Sequence, residues 1–319
     1  MVELKFCVAM VLFDPDWPSL CARLESLLEV CPKLILMDNT PTTNATSIPS
    51  AEVRQFLQTD RIQYQHLGSN LGICVAYNRA AQIAQSEGYQ WMFTLDQDTL
   101  ADADFIKSML ESSEAYEAST TYTANDVNVN FKDVGLFAPR LHLGDGLFQG
   151  QSADQHSAVP NYSEVEVVMS SGCLLSLKVF LTLNGFDEDF WLDGFDHEYC
   201  FHLKSAEFKR IMCEDVLLTH SLGATTKESR FFMRGHRHIS NHSAWRRRLI
   251  ARNRRLLWSK YPSEVQWIQT EKHQEKKEFF ETLILEKSGL KKVWSILMGM
   301  RDFHQGRRGS PHFLEKGRD

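Results

Sequence analysis

Gln90-Trp91-Met92-Phe93-Thr94-Leu95-Asp96-Gln97-Asp98-Thr99 is the stretch from which the fold can be read. Its apolar run predicts a buried strand over Trp91 to Leu95, and the run stops on two carboxylates flanking Gln97. Two carboxylates two positions apart at a strand end can both face one cation if the chain turns there. Such oxygen donors suit Mg2+ or Mn2+, which keep water and bind substrate phosphates. Taken alone, an Asp-x-Asp is as well explained by a solvated turn, so its surroundings decide its weight.

Upstream, the chain alternates in type. Lys5 to Phe13 reads as a buried strand, and Trp17 to Val30 as a helix with Leu20, Leu24, Leu27 and Leu28 on one face. Leu34 to Met37 is a second strand, ending at Asp38-Asn39. Ala51 to Leu57 is a short helix, Ile62 to His66 a third strand, and Gly72 to Gln85 a helix. Strands alternating with helices predict a Rossmann-like α/β fold with a mainly parallel sheet. Ligands of such sheets bind beyond the carboxyl ends of the strands. Asp38 and the Asp96/Asp98 pair stand at such ends. Asn70-Leu71-Gly72 precedes a helix whose first N–H groups can meet phosphate. No G-x-G-x-x-G follows the first strand and no G-x-x-x-x-G-K-[ST] occurs, which disfavours dinucleotide-binding enzymes and P-loop NTPases.

Downstream, residues 112–163 are rich in Ser, Thr, Asn, Asp and Gly and read as a long loop with one strand near Val134 to Ala138. The apolar pattern resumes at Val165 to Met169. A short helix near Leu177 to Leu183, a helix over Asp196 to Ser205 and a strand over Val216 to His220 follow. Between them, Asp187-Glu188-Asp189, Asp193, Asp196 and Glu198 crowd among Phe186, Phe190, Trp191 and Phe195. Like charges beside aromatics repel and are poorly solvated. They are easier to explain near a positive group or a reaction needing a base. Asp196 is also a plausible helix cap. His220 ends an apolar strand and is of interest only if it converges with Asp98 on a metal.

The 319 residues, 43% hydrophobic, can bury a large core. Seven cysteines, an odd number with no C-x-x-C, predict reduced thiols in a cytosolic protein rather than zinc or disulfides. The first apolar run stops at Asp14-Pro15-Asp16 with no small-residue cleavage site after it, which makes a weak signal peptide, and no uncharged segment reaches the ~18 residues of a membrane span. Net charge is −6 but divided. Residues 1–224 carry −18 and residues 225–319 carry +12, so the expected domains are an acidic catalytic body over 1–224 and a basic helical region over 225–319. Two apolar stripes mark that region: Leu249, Ile250, Asn253, Leu256 and Leu257, then Leu290, Val293, Trp294, Leu297 and Met300. Basic amphipathic helices with Trp can lie on an anionic membrane surface. Equally, they can pack on the body or pair subunits into a homo-oligomer. The acidic body would repel a nucleic acid backbone, so no nucleic acid partner is expected.

The ordered set Met37-Asp38-Asn39-Thr40, Gly68-Ser69-Asn70-Leu71-Gly72-Ile73, Ala76-Tyr77-Asn78, Leu95-Asp96-Gln97-Asp98-Thr99, Ser170-Ser171-Gly172-Cys173-Leu174, Asn184-Gly185-Phe186-Asp187, Asp196-His197-Glu198-Tyr199-Cys200, His220-Ser221-Leu222-Gly223 and Arg252-Asn253 resembles the family 2 glycosyltransferases of GT-A fold, in their rhamnosyltransferase-like branch. The resemblance implies an inverting transfer of L-rhamnose from dTDP-rhamnose to a polysaccharide or lipid-linked glycan, with a divalent metal, in the cytoplasm or on the inner face of the cell membrane. It implies Asp38 on the nucleotide base, Asn70, Gly72 and Asn78 around the nucleotide, and Asp96 on ribose or metal. Asp98 and His220 would be metal ligands and Asp196 the general base. Glu198, Arg252 and Asn253 are expected near the diphosphate or acceptor. Two other readings stand beside this one: a UDP-sugar donor, and a catalytically inactive glycan-binding or scaffold protein.

Overall fold

The computed structural model describes residues 4–42, 49–122, 133–142, 148–149, 161–219, 226–228, 237–239 and 241–311. The chain divides into two compact units: residues up to Glu188 with Phe195–Ser221, and Asp189–Gly194 with Leu222–Asp319.

In the first unit, β1 (Phe6–Leu12), α1 (Trp17–Leu28), β2 (Leu34–Asp38), α2 (Ala51–Phe56), β3 (Ile62–His66), α3 (Ile73–Ser86) and β4 (Trp91–Asp96) alternate as the sequence predicts. α4 (Ala103–Tyr122), β5 (Val134–His142), β6 (Phe148–Gln149), β7 (Tyr162–Glu164), β8 (Leu174–Ser176), α5 (Leu177–Thr182), α6 (Phe195–Ser205) and β9 (Lys209–Thr219) complete it. The sheet order is β3-β2-β1-β4-β8-β5-β9-β7, with β6 on β5. The first four strands are parallel; β8 runs antiparallel between β4 and β5, and β5 pairs with β9 in parallel.

β1 and β2 are apolar almost without break because neither face of a helix-covered parallel sheet meets water. α1 has Pro18 in its first turn and buries Trp17, Leu20, Leu24 and Leu27 at the 3.6-residue period. Truncating one of these leucines to Ala costs about 2–5 kcal/mol. Pro139 is tolerated inside β5 because the β5–β9 register shifts between Pro139 and Arg140.

One expectation is corrected. The stretch after residue 112 begins as helix, since α4 continues to Tyr122. Its inner face, Phe105, Ile106 and Met109, continues through fully buried Ser113. The Ser113 hydroxyl donates to the Leu110 carbonyl at 2.8 Å. A hydroxyl satisfied by its own helix can stand in a core position, and that masked the period. The segment that pairs with β9 is Tyr162–Glu164, just before the apolar Val165 to Met169. There the Arg210 side chain takes the Val165 carbonyl at 2.9 Å.

The second unit holds a small antiparallel pair, β10 (Thr226–Glu228) and β11 (Arg237–Ile239), and three helices, α7 (Ala244–Lys260), α8 (Val265–Leu285) and α9 (Gly289–His304). The arginines of α7 are answered within the unit. Arg246 pairs with Asp193 at 2.8 Å, Arg247 with Glu286, Arg248 with Asp302 at 2.5 Å, Arg254 with Glu278 at 2.9 Å, and Arg255 with Glu275. α9 crosses α7 at Gly299, where a Cβ would collide with the Arg248 carbonyl oxygen. The buried face of α9 is Gly289, Lys292, Ile296, Gly299 and Asp302. Among the described residues, no helix is long and apolar enough to cross a membrane.

Candidate functional site

The carboxyl ends of β1, β2 and β4 lie level, because Leu12 pairs with Asp38 and Val11 with Asp96. Just past them, the Gln97 side-chain amide binds both polar groups of the Phe13 backbone. Phe13 N–H donates to Oε1 at 2.8 Å and Nε2 donates to Phe13 O at 3.0 Å. The middle residue of Asp96-Gln97-Asp98 is thus a clamp between strands, which leaves Asp98 exposed and Asp96 half-buried. Ser171 supports the same corner: its hydroxyl accepts from Asp96 N–H at 3.1 Å and lies 2.6 Å from Thr99 Oγ1.

Asp38 is fully buried. Oδ1 accepts from Thr40 N–H at 2.9 Å and Oδ2 from the Tyr64 hydroxyl at 2.7 Å. Burial, then the bond to Asp38, pushes the Tyr64 phenol well above its ordinary pKa, so it remains a donor. Asp38 therefore shapes this edge through Tyr64 and the Thr40 backbone. Its neighbour Asn39 went unassigned in the sequence. Asn39 Nδ2 donates to Gly72 O at 2.9 Å and Oδ1 accepts from Leu71 N–H at 3.0 Å. Asn70 Oδ1 accepts from Gly72 N–H at 3.1 Å. The N-terminus of α3 is thereby fixed beside the end of β2. The cue for Asn39 was a polar residue just past a buried strand.

Asn78, on α3, reaches across to the turn before α6. Its Oδ1 accepts from Phe186 N–H and its Nδ2 donates to Phe186 O, both at 2.9 Å, and Nδ2 also reaches Glu188 Oε1 at 3.1 Å. Gly185 has φ +74°, and a Cβ on it would strike Asn78 Oδ1. The Phe186 ring meets Tyr77, Phe180, Phe195 and Tyr199 edge-on at 4.8–5.8 Å. This cluster seats the start of α6. Asp196 lies half-buried in the first turn of α6, with Oδ1 accepting from His197 N–H at 2.9 Å; Glu198 is fully buried.

The carboxylates share one neighbourhood. Burial drives the Cys173 thiol far up in pKa, and both Asp196 and Asp96 push it further. Burial does the same to Cys74, in the first turn of α3, with Asp187, Glu198, Glu188 and Asp196 adding to it. Asp196 thus lies within electrostatic reach of both buried thiols, Asp96 of Cys173 and the acidic turn of Cys74. All seven cysteines are free, and all but Cys21 are buried.

Arg252 and Asn253, expected near a diphosphate or acceptor, are buried within the second unit. Arg252 donates to Asn253 Oδ1 at 2.9 Å, Gly309 O at 2.9 Å and Asp189 O at 3.1 Å. Asn253 Nδ2 donates to Phe190 O at 2.7 Å and Asp193 O at 2.6 Å. Their donors hold the Asp189–Gly194 turn. Burial lowers the Arg252 pKa to about 10, still charged at neutral pH. His220 lies outside the described residues. Among the described residues, no three His, Cys, Asp or Glu gather into a metal cage. An exposed Asp98 beside Asp96 nonetheless fits an ion that takes its remaining ligands from water and phosphate.

Level strand ends, with the N-terminus of α3 held beside them, are the frame on which the comparisons bear. Residues 7–151 match the family described as Glycosyl transferase family 2. The dTDP-rhamnosyl transferase RfbF of Shigella flexneri is 24% identical over 222 residues, 67% of this chain and 68% of its own length. A crystal structure of GalNAc-T7 with UDP, GalNAc and Mn2+ has a TM-score of 0.51 at 10% identity, over 68% of this chain and 44% of its own. The chain thus spans under half of that structure, and the likeness bears on fold alone. The fold is thus of GT-A type, and residues 7–151 form a domain that matches the family 2 glycosyltransferases.

Proposed function

We propose that the chain transfers L-rhamnose from dTDP-rhamnose to a hydroxyl of a cell-surface polysaccharide or lipid-linked glycan, with inversion. The observation that carries the transfer chemistry is the level ending of β1, β2 and β4, which sets Asp38, Asp96 and exposed Asp98 at one edge of the sheet. The donor rests on the similarity to a dTDP-rhamnosyl transferase. Residues 1–224 form the catalytic domain and 225–319 serve acceptor, membrane or subunit contacts, in the cytoplasm or on the inner face of the cell membrane.

The N-terminus of α3, set by Asn39, Asn70 and Gly72, receives the nucleotide, and its free N–H groups favour negative charge. Asp38 orients the base pocket through Tyr64, and Asn78 fixes the turn that lines it. Asp98, with Asp96 and His220, would hold Mg2+ or Mn2+. When bound, such an ion neutralises the departing diphosphate. Asp196 takes the acceptor hydroxyl's proton as that oxygen attacks the anomeric carbon and the diphosphate leaves from the opposite face. The start of α6 favours its ionised form.

A thermal-shift comparison of dTDP-rhamnose with UDP-sugars, each with Mn2+, tests the donor. A donor at 100 times its Kd stabilises by roughly 2.7 kcal/mol. A shift with UDP-sugars and none with dTDP-rhamnose replaces the rhamnose reading. No shift with any nucleotide sugar favours an inactive glycan-binding protein.

A further inference from the structure

α9 is amphipathic, yet it is turned inside out relative to a core helix. It buries Lys292 and Asp302 and exposes Leu290 (78%), Trp294 (62%) and Leu297 (42%). Leu290, Trp294, Leu297 and Arg301 are spaced four, three and four apart, so they form one stripe. α8 repeats the pattern, with Phe280 (61%), Leu283 (38%) and Ile284 (61%) exposed between Lys276 and Lys287. Packing cannot be what keeps these six side chains apolar. Clusters of this kind on a water-facing surface mark a docking site.

Charge says what docks. Three of the four glutamates of α8 turn inward, Glu271 and Glu278 to Arg254 and Glu275 to Arg255, and the fourth, Glu281, is half-buried. Glu286 is buried against Arg247 and Lys292. From Val265 to His304 no Asp or Glu is exposed, while Lys276, Lys277, Lys287, Lys291 and Arg301 all are. The fully exposed charges around the apolar face are therefore basic. A second copy using the same face would set like charge against like charge. A bilayer with anionic headgroups takes both features at once, apolar side chains below the headgroups and lysines among them.

We infer that the outward face of α8 and α9 is a docking surface for an anionic phospholipid bilayer. It is a face distinct from the arginine-rich α7, whose charges are spent on ion pairs inside the unit. It deepens the proposed reading by giving a lipid-linked acceptor a place to meet the enzyme, but binding itself needs no donor.

The full chain is sedimented with phosphatidylcholine vesicles, with and without phosphatidylglycerol, at low and high salt. Two double variants, Leu290→Ser with Trp294→Ser and Lys287→Glu with Lys291→Glu, are compared. All four positions are exposed, so the melting temperature and donor-induced thermal shift should be unchanged. Binding is expected only with phosphatidylglycerol, weakened by salt. Each basic residue near the surface contributes roughly fivefold, so the lysine variant should lose more than about tenfold. Equal recovery from both vesicles, no recovery from either, or binding untouched by both variants overturns the inference. A dimer in solution that Trp294→Ser dissociates, without vesicle binding, assigns the face to a second copy instead. A lost donor shift with intact vesicle binding would sink the transferase reading and leave this surface standing.

Discussion

Asn78 holds Phe186 by both backbone polar groups, with Oδ1 accepting from its N–H and Nδ2 donating to its carbonyl, each at 2.9 Å across 108 residues of sequence. One amide on α3 thus fixes the turn that leads into α6 and Asp196. Asn78→Ala would leave a buried N–H and C=O unsatisfied, at about 1–3 kcal/mol each when unmade. The midpoint of urea unfolding should fall accordingly. An unchanged midpoint would mean that water replaces the amide and that Asn78 is no clamp.

Asp98→Ala should abolish the metal dependence of nucleotide binding. Asp98 is exposed just past β4 and Gln97 is committed to Phe13, so Asp98 is the carboxylate left open to solvent there. Calorimetry of dTDP binding with and without Mn2+ reads the effect. Metal dependence that survives removes Asp98 from the site.

Asp196→Asn keeps the shape of the first turn of α6 but cannot take a proton. Turnover should drop by roughly 10²–10⁴-fold while donor binding persists. Glu198 is fully buried two positions further along α6. It points about 200° away in a helix of 3.6 residues per turn. If Glu198→Gln loses turnover and Asp196→Asn does not, the base has been misassigned.

His242 gives the second unit a pH dependence. Burial, and then Arg246, lower its pKa from 6.5 to about 4. The folded state therefore binds its proton less readily than the unfolded chain does. The stability this contributes is fully present above about pH 6.5 and is lost as pH falls toward 4. His242→Gln should flatten the stability profile in that window, measured by denaturant midpoints. An identical slope in the variant assigns the dependence elsewhere.

Glu286 is shared by Arg247 and Lys292, with Lys292 Nζ at 2.7 Å. Glu286→Gln leaves two largely buried cations without that charge and should cost about 3 kcal/mol. Lys292→Met leaves the Arg247 pair intact and should cost less. The reverse order would mean that the packing of the Lys292 stem, rather than the charge, is what matters.

The alternation of strand and helix through Asp96 was legible in the sequence, because the period of apolar residues reports local structure directly. The strand-end carboxylates were legible for the same reason, since a charge that stops a buried run stands at the sheet's edge. α4 was hidden because Ser113 occupies a core position, and a hydroxyl bonded to its own helix carries no apolar signal.

What the sequence by itself determined is the order of elements through β4, the family that residues 7–151 match, and which residue types stand at the strand ends. What only the tertiary structure decided is what those residues touch. Asn78, expected around the nucleotide, and Gln97, the middle residue of the Asp-x-Asp, each bind backbone of a distant segment. The outward stripe of α9 shows the reason most directly. A helical period says which residues share a face, never which face turns inward. That is settled by the neighbour: α7 presents a carbonyl that admits Gly299 and an arginine that neutralises Asp302, so α9 buries its glycine and charges and leaves Leu290 and Trp294 outside.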